Sequence, residues 1–301
     1  MHINKKKSHK LPEEFVKDLK GGSISSKFVI SDKKVKLTKH GKEYLDITLS
    51  DKTGEIKGRM FSNGALDSKI QDLKNGNVCH IKGNLEDKYG RSINITSINK
   101  CSEGEFEEND FIISLENDSQ KLWDIINQTI KDIKNPDLKT ILNLFFNDKK
   151  FKSEFCQSPA AIRIHHNYAG GLLEHTAHVV ILCKTLCETY PKLDAELLYT
   201  GAILHDIGKI KIYKKQGLSI EYTEDGRLLE HIFISAQMVK ERSNKKLISE
   251  ETLKKVLHLI LSHHGDVSNG WGSAVNPSLP EAVALHHADN MDAKVKGVLG
   301  N

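Results

Sequence analysis

Cysteine is scarce in this chain: five residues, Cys79, Cys101, Cys156, Cys183 and Cys187, odd in number and without a Cys-x-x-Cys pair. That argues against a disulfide scaffold and a thiolate-built zinc site, and for a reducing cytoplasm. No apolar run approaches the roughly 18 residues a membrane span requires. The opening MHINKKKSHK lacks the apolar stretch of a secretory signal. No membrane partner is expected. Aromatic residues make up only 6% of the chain, yet 38% is hydrophobic and 28% charged. That is enough apolar material for a packed core, which excludes a disordered polyelectrolyte. At 301 residues the chain has about twice the usual single-domain length, so two domains are expected.

The modest net charge of +4 conceals a split. Residues 1–101 hold 21 Lys and Arg against 12 Asp and Glu, a net +9, whereas the remainder carries −5. An uneven distribution of this kind suggests that the first part meets a polyanion. Histidine runs the other way. Eleven of the fifteen lie between His165 and His287, in the acidic part, where metal explains them better than phosphate attraction.

Residues 1–20 form a basic, lysine-rich arm, expected to be mobile and only partly helical. Residues 21–101 follow a period of two. Phe28–Ile30 with Lys34–Leu37, Tyr44–Leu49 and Ile56–Phe61 are three strands separated by turns at His40-Gly41 and Asp51–Gly54. A short helix over Ala65–Leu73 precedes two more strands, Val78–Leu85 and Ser92–Ile98. Three strands, a helix and two strands are the order of a small all-β OB-type barrel. Residues 102–118 form an acidic linker. Residues 119–301 keep a helical period nearly throughout, so an all-α domain is expected, with its metal-site core over 161–296.

A small barrel binds single strands when bases stack on aromatic faces within a basic groove. Tyr44, Phe61 and Tyr89 are the candidate platforms, with Arg59, Arg91, Lys36, Lys39, Lys57, Lys82 and Lys88 around them. Closure of the barrel core explains Tyr44 or Phe61 equally well. The domain-wide charge excess is the stronger signal for nucleic acid, and nothing supports sequence-specific readout.

The sharpest pattern lies in the helical half. His175 recurs with Leu172, Val179, Leu182 and Leu186 on the buried face of one helix. A second helix, Leu197–Leu204, runs into His205-Asp206-Ile207-Gly208-Lys209, where a helix end can aim adjacent His and Asp at one point. His231 shares a face with Ser235 and Met238, His263-His264 closes the helix Leu253–Leu261, and Asp289 lies on the helix opened by Pro280. One such residue would be an ordinary hydrogen-bonded core group. Burying so many ionisable groups on five helices costs several kcal/mol each unless something positive compensates. His/Asp ligation without thiolate suits Mn, Fe, Co, Ni or Zn, and a carboxylate between two ions suits a dinuclear centre. His178 and His258 lie off this pattern, His286 and His287 flank Asp289 as groups able to orient a ligand, and Cys183 and Cys187 read as helix packing.

This series resembles the HD superfamily of metal-dependent phosphohydrolases. The segments HHNYAGGLLEHT, LLYTGAILHDIGKI, GRLLEHI, LILSHHG and LHHADNMDAK are closer still to the YhaM family of 3′-to-5′ exoribonucleases, which join an N-terminal OB fold to an HD domain. The resemblance spans about residues 25–300. It implies a first metal on His175, His205, Asp206 and Asp289. Asp206 would bridge to a second metal held by His231 and by His263, His264 or both. Asp289 is preferred over Asp292 because the HD pattern takes the first aspartate of such a pair. Two divalent ions per chain, Mn foremost, are the implied cofactors. Lys209 would steady charge on the substrate phosphoryl group and His166 would contact a phosphate, with His165 structural. The implied activity is hydrolysis of single-stranded RNA, and DNA as a second candidate, from the 3′ end to nucleoside 5′-monophosphates. An HD phosphohydrolase acting on a small nucleotide or cyclic dinucleotide is the alternative.

Overall fold

A computed structural model describes residues 9–62, 67–87, 90–112, 118–161, 168–244 and 248–299. The chain divides into two compact units. One comprises Met1–Ile113 and Lys215–Glu221, the other Ser114–Lys214 and Tyr222–Asn301.

The first unit is a closed barrel. Its strands are β1 (Gly22–Leu37), β2 (Glu43–Asp51), β3 (Gly54–Phe61), β4 (Val78–Glu86) and β5 (Ser92–Lys100), with the short helix α1 (Ser68–Gln71) between β3 and β4. The order around the barrel is β1-β2-β3-β5-β4. β1 is long enough to serve both sides: residues 22–29 pair antiparallel with β4 and residues 29–37 with β2, with a bulge between Ile30 and Asp32. A short parallel pairing of β3 with β5 closes the circuit. The period-two residues Leu45, Ile47, Leu49, Ile56, Ile81, Ile93 and Ile95 fill the interior. Gly58 sits where β3 meets β5, and a Cβ there would lie 2.7 Å from Ile95 Cδ1.

Three expectations change here. The lead-in is not a loose arm over its described part. Two 3₁₀ turns, Pro12–Glu14 and Val16–Asp18, leave Phe15, Val16 and Leu19 buried, and Val16 and Leu19 join the apolar core of the barrel. Lys10 is buried too, its Nζ 2.5 Å from Asp51 Oδ2 and 4.2 Å from the Phe28 ring centroid. Val35 and Leu37 are exposed, so the apolar side of Lys34–Leu37 faces solvent. Among the described residues, that end of β1 pairs only with β2. The acidic segment also packs at its start: Phe106 and Phe111 meet edge to face and join Val29 and Val78.

The second unit is helical. It comprises α2 (Ser119–Asp132), α3 (Pro136–Phe146), α4 (Lys149–Gln157), α5 (Gly171–Thr189), α6 (Ala195–Leu204), α7 (Lys209–Ile212), α8 (Glu224–Leu228), α9 (Glu230–Ser243), α10 (Glu250–Ser262) and α11 (Pro280–Leu299). Side-chain caps from Asn135, Asp148, Asp194 and Ser249 satisfy the leading N–H groups of α3, α4, α6 and α10. One continuous core runs from Trp123 on α2 to Ala288 on α11, including Phe145, Phe155, Leu172, Leu198 and Leu259. α6 approaches α10 at Gly201, where a Cβ would meet Leu259 Cδ2 at 2.4 Å. Between α7 and α8 in the chain, a β6–β7 hairpin (Tyr213–Gln216, Ser219–Tyr222) turns at Gly217, with a positive φ of 58°, and most of it, Lys215–Glu221, belongs to the first unit. The helical period gave no hint of it.

Candidate metal centre

α5, α6, α9, α10 and α11 each deliver a side chain to one buried point. α5 begins after Gly170 (φ 89°), and its inward stripe places His175 among Leu172, Val179 and Val180, all buried. α6 ends on His205, whose N–H donates to Gly201 O, and the chain then turns through Asp206 and Ile207 to Gly208. α10 ends likewise on His263.

These two helix ends share one device. His205 Nδ1 donates to Ala202 O at 2.9 Å and His263 Nδ1 donates to Ile260 O at 2.7 Å. Each ring satisfies a last-turn carbonyl and turns its Nε2 inward. His264 Nδ1 does the same with Trp271 O at 2.5 Å. His175 differs. Its Nδ1 meets Asp292 Oδ2 at 2.7 Å while its Nε2 meets Asp289 Oδ1 at 3.1 Å, so two carboxylates one turn apart on α11 grip opposite edges of one imidazole.

Two groups result. His175 Nε2 lies 3.2 Å from His205 Nε2 and 3.4 Å from Asp206 Oδ2, and Asp289 Oδ1 is 3.8 Å from His205 Nε2. On the other side, Asp206 Oδ1 lies 3.3 Å from His231 Nε2 and 3.7 Å from His263 Nε2, and the His264 ring centroid is 5.0 Å from that of His231 and 4.4 Å from that of His263. The triads His175/His205/Asp206 and His231/His263/His264 each converge closely enough for one ion. Asp206 turns one oxygen to each.

The donor set fits divalent cations. Asp206 Oδ1, His231 Nε2 and His263 Nε2 are buried without a hydrogen-bond partner among the described residues, which is costly unless a ligand takes their lone pairs. Protonation points the same way. Burial opposes ionisation of Asp206, but Lys209, with Nζ 2.6 Å from Oδ2, and His205 hold its carboxyl well below the usual range. Burial, then the neighbouring His264 and His205, keep His263 neutral far below its ordinary value, and burial with His231 lowers His264. For His175 burial is outweighed by Asp289 and Asp292, which raise it to about 9, so cation binding displaces a proton there.

The other candidates divide. His166, with His165, and Tyr89 lie outside the described residues. Tyr44 and Phe61 are cross-strand partners on β2 and β3, stacked with centroids 5.4 Å apart and 22° between planes, and Phe61 is 57% exposed. Register sets Lys36 beside Tyr44, and Lys34, Asp46 and Arg59 in the next row of that face. Asp46 accepts an ion pair from Lys36, which tempers the face's positive charge. Arg91 is turned to the carbonyl of Leu19 and so ties down the N-terminal segment.

Sequence reasoning overlooked three features. Asp292 contacts not only His175 but also His178 Nδ1, at 2.9 Å. The available signal was the spacing of three, which sets Asp292 one turn from Asp289 on α11 and His178 one turn from His175 on α5. Glu230, just before His231, has a positive φ (61°), unusual for a residue other than glycine, and its carboxylate lies 3.8 Å from His231 Nδ1. The loop carbonyl of Trp271 that holds His264 has no signature in spacing.

An HD domain model matches residues 172–294, and an OB-fold nucleic acid binding domain model matches residues 28–100. The 3′-5′ exoribonuclease YhaM of Shouchella clausii is 34% identical over 277 residues, covering 91% of this chain and 85% of its own. The Bacillus subtilis protein of that name is 32% identical, with 91% and 86% covered. That of Listeria monocytogenes serotype 4b is 32% identical over 294 residues, with 94% and 89% covered.

Proposed function

The chain belongs to the YhaM 3′-5′ exoribonuclease family, and from that premise we propose that it is a metal-dependent exonuclease acting on the 3′ end of single-stranded RNA. The observation that carries this reading is the set of buried, unpartnered atoms about Asp206, flanked on both sides by inward-turned imidazoles. His175, His205, Asp206 and Asp289 would hold one divalent ion, and His231, His263, His264 and Asp206 would hold a second, with Mn the favoured metal. Bound there, the ions supply an acidified water and charge neutralisation at the scissile phosphodiester.

The chain's own residues have separate tasks. Asp206 stays ionised through its burial because Lys209 faces it. Lys209 is then placed beside the reacting phosphate, where its ammonium balances charge gathering on the phosphoryl oxygens. Backbone carbonyls fix the rings of His205, His263 and His264, so these ligands need no rearrangement. The barrel holds the strand through Lys34, Lys36, Lys57 and Arg59 around the exposed Phe61 and its partner Tyr44. Its grip should weaken steeply as salt rises. Products are nucleoside 5′-monophosphates. Five free cysteines suit a reducing cytoplasm. No helix among the described residues is long and apolar enough to cross a membrane.

The test is hydrolysis of a 5′-labelled single-stranded oligoribonucleotide with Mn²⁺, comparing wild type and Asp206→Ala. A ladder of shortened products, absent from the variant, supports the reading. An intact oligonucleotide with metal bound to the wild-type protein refutes it.

A further inference from the structure

The chain has two tryptophans, and they are used in opposite ways. Trp123 is buried in the helical core, whereas Trp271 is 49% exposed on the loop between α10 and α11. Exposing half an indole forfeits burial of a large apolar surface, so its placement calls for a reason. The loop does not leave it out through looseness. Val267 N donates to Asn276 Oδ1 at 2.9 Å, Ser268 N to Asp266 Oδ1 at 2.8 Å, Gly270 N to Val267 O at 3.2 Å, and Ala274 N to Leu261 O at 2.9 Å. Gly270 (φ 69°) and Gly272 (φ 96°) flank the tryptophan, both in the left-handed region that favours glycine. The backbone is thereby turned sharply on either side of one residue, and that residue is held at the surface.

Its position is set by the metal centre. The Trp271 carbonyl is the acceptor for His264 Nδ1 at 2.5 Å, so the platform and a candidate ligand are fixed by the same hydrogen bond. Lys294 Nζ lies over the indole, 5.1 Å from its centroid, so a cation rests on the aromatic surface at the end of a flexible side chain able to swing to a phosphate. A half-exposed indole with an adjacent lysine, on a residue whose carbonyl holds a candidate metal ligand, has the chemistry of a nucleobase platform.

We propose that Trp271 stacks on a base at the 3′ end of the strand, with Lys294 meeting the accompanying phosphate, and so seats the terminal nucleotide over the metal centre. This rests on the exonuclease reading above. Stacking tolerates every base, which suits an enzyme that must accept whichever nucleotide comes next. Trp271 thus contributes binding that the barrel's face, in the other unit, does not supply.

The experiment compares wild type, Trp271→Phe and Trp271→Ala, each checked for metal content, on two 5′-labelled oligoribonucleotides. One has an intact 3′-terminal nucleotide and the other is abasic there. On the intact strand the alanine variant should show a KM for the first cleavage raised about 5- to 150-fold, kcat changing less, and phenylalanine should recover most of the loss. On the abasic strand the gap between wild type and alanine variant should close. Equal KM values on the intact strand, or an unchanged gap on the abasic one, would overturn the proposal. Tryptophan fluorescence with metal chelated reads the same contact without turnover. The intact strand should quench wild type but not Trp271→Ala, where Trp123 is the indole left. Absence of any quench overturns the platform even if RNA is cleaved. Quenching by a strand that the wild type then leaves uncut would instead overturn the exonuclease reading alone.

Discussion

Gly208 is the position at which a single methyl group should separate the two halves of the metal centre. Its φ of −62° is ordinary, so it is space and not backbone conformation that requires glycine there. A Cβ on Gly208 would lie 2.5 Å from His231 O, 2.7 Å from Ser235 N and 2.8 Å from Ser235 Oγ, while Gly208 N donates to Ser235 Oγ at 2.8 Å. Two of those atoms are backbone of α9 and cannot rotate away. Relief needs a shift of about 1 Å between the His205–Gly208 turn and α9 to restore ordinary contact distances. That movement draws His231 from Asp206, whose facing atoms are now 3.3 Å apart. Overpacking of this kind costs about 1–3 kcal/mol, or a melting temperature lowered by about 2–12 °C for a unit of this size. Affinity for the ion held by His231, His263 and His264 should fall about 10- to 100-fold, with the His175 side less affected. Calorimetric melting and a metal titration of Gly208→Ala measure both. Gly21→Ala, where a Cβ meets nothing within 4 Å, is the control. A Gly208→Ala protein that melts with wild type and binds both ions equally well would refute the reasoning.

Two further outcomes are expected. Asp292→Ala frees the rings of His175 and His178. It should weaken binding of one metal equivalent about 10- to 100-fold while Asp292→Asn, able to accept one of the two hydrogen bonds, loses less; equal titrations for all three proteins would show that Asp292 does not orient His175. Cys79 is fully buried, and burial pushes its thiol up to about 12 from an ordinary 9.0. An acid whose folded pKa is raised contributes stability that is present below the unfolded value and lost as pH climbs. Between about pH 9 and 12 each unit should therefore remove up to about 1.4 kcal/mol. Denaturant titrations at pH 8.5 and 10.5 should show a smaller loss for Cys79→Ala than for wild type, and parallel losses would contradict the assignment.

What the sequence disclosed follows from the length scale of each signal. The barrel strands were legible because Leu45, Ile47 and Leu49 alternate with the polar Asp46, Thr48 and Ser50 over one strand, and side-chain alternation is a local property. His175, His205 and Asp289 could be assigned inward faces for the same reason, through helical spacing. The burial of Lys10 is different. It depends on Asp51, 41 residues away, and a lysine in a lysine-rich stretch carries no local sign that its ammonium will be sequestered. Hairpin β6–β7 was missed because four-residue strands are too short for either period to emerge. The relation of Asp292 to His175 spans 117 positions and rests on rotamers, which spacing does not encode.

The two halves of the centre differ in charge, and the difference bears on how the site works. Under the proposed assignment the first ion would be held by Asp289 and Asp206 together with His205 and a His175 that is itself backed by Asp292. The second would be held by Asp206 and three imidazoles, of which His263 and His264 have their pKa lowered by burial. Carboxylate-rich ligation would neutralise more of the first ion's charge within the protein, whereas a second ion held mainly by imidazoles would keep a positive excess in a buried setting. A phosphodiester brings the missing negative charge. The side built from His231, His263 and His264 is therefore the one whose occupancy should tighten when a strand is bound. It is also the side whose His264 is tied to the loop that presents Trp271. Recognition of the strand's end and completion of the metal site would then draw on one hydrogen-bonded segment, Gly265 to Leu279.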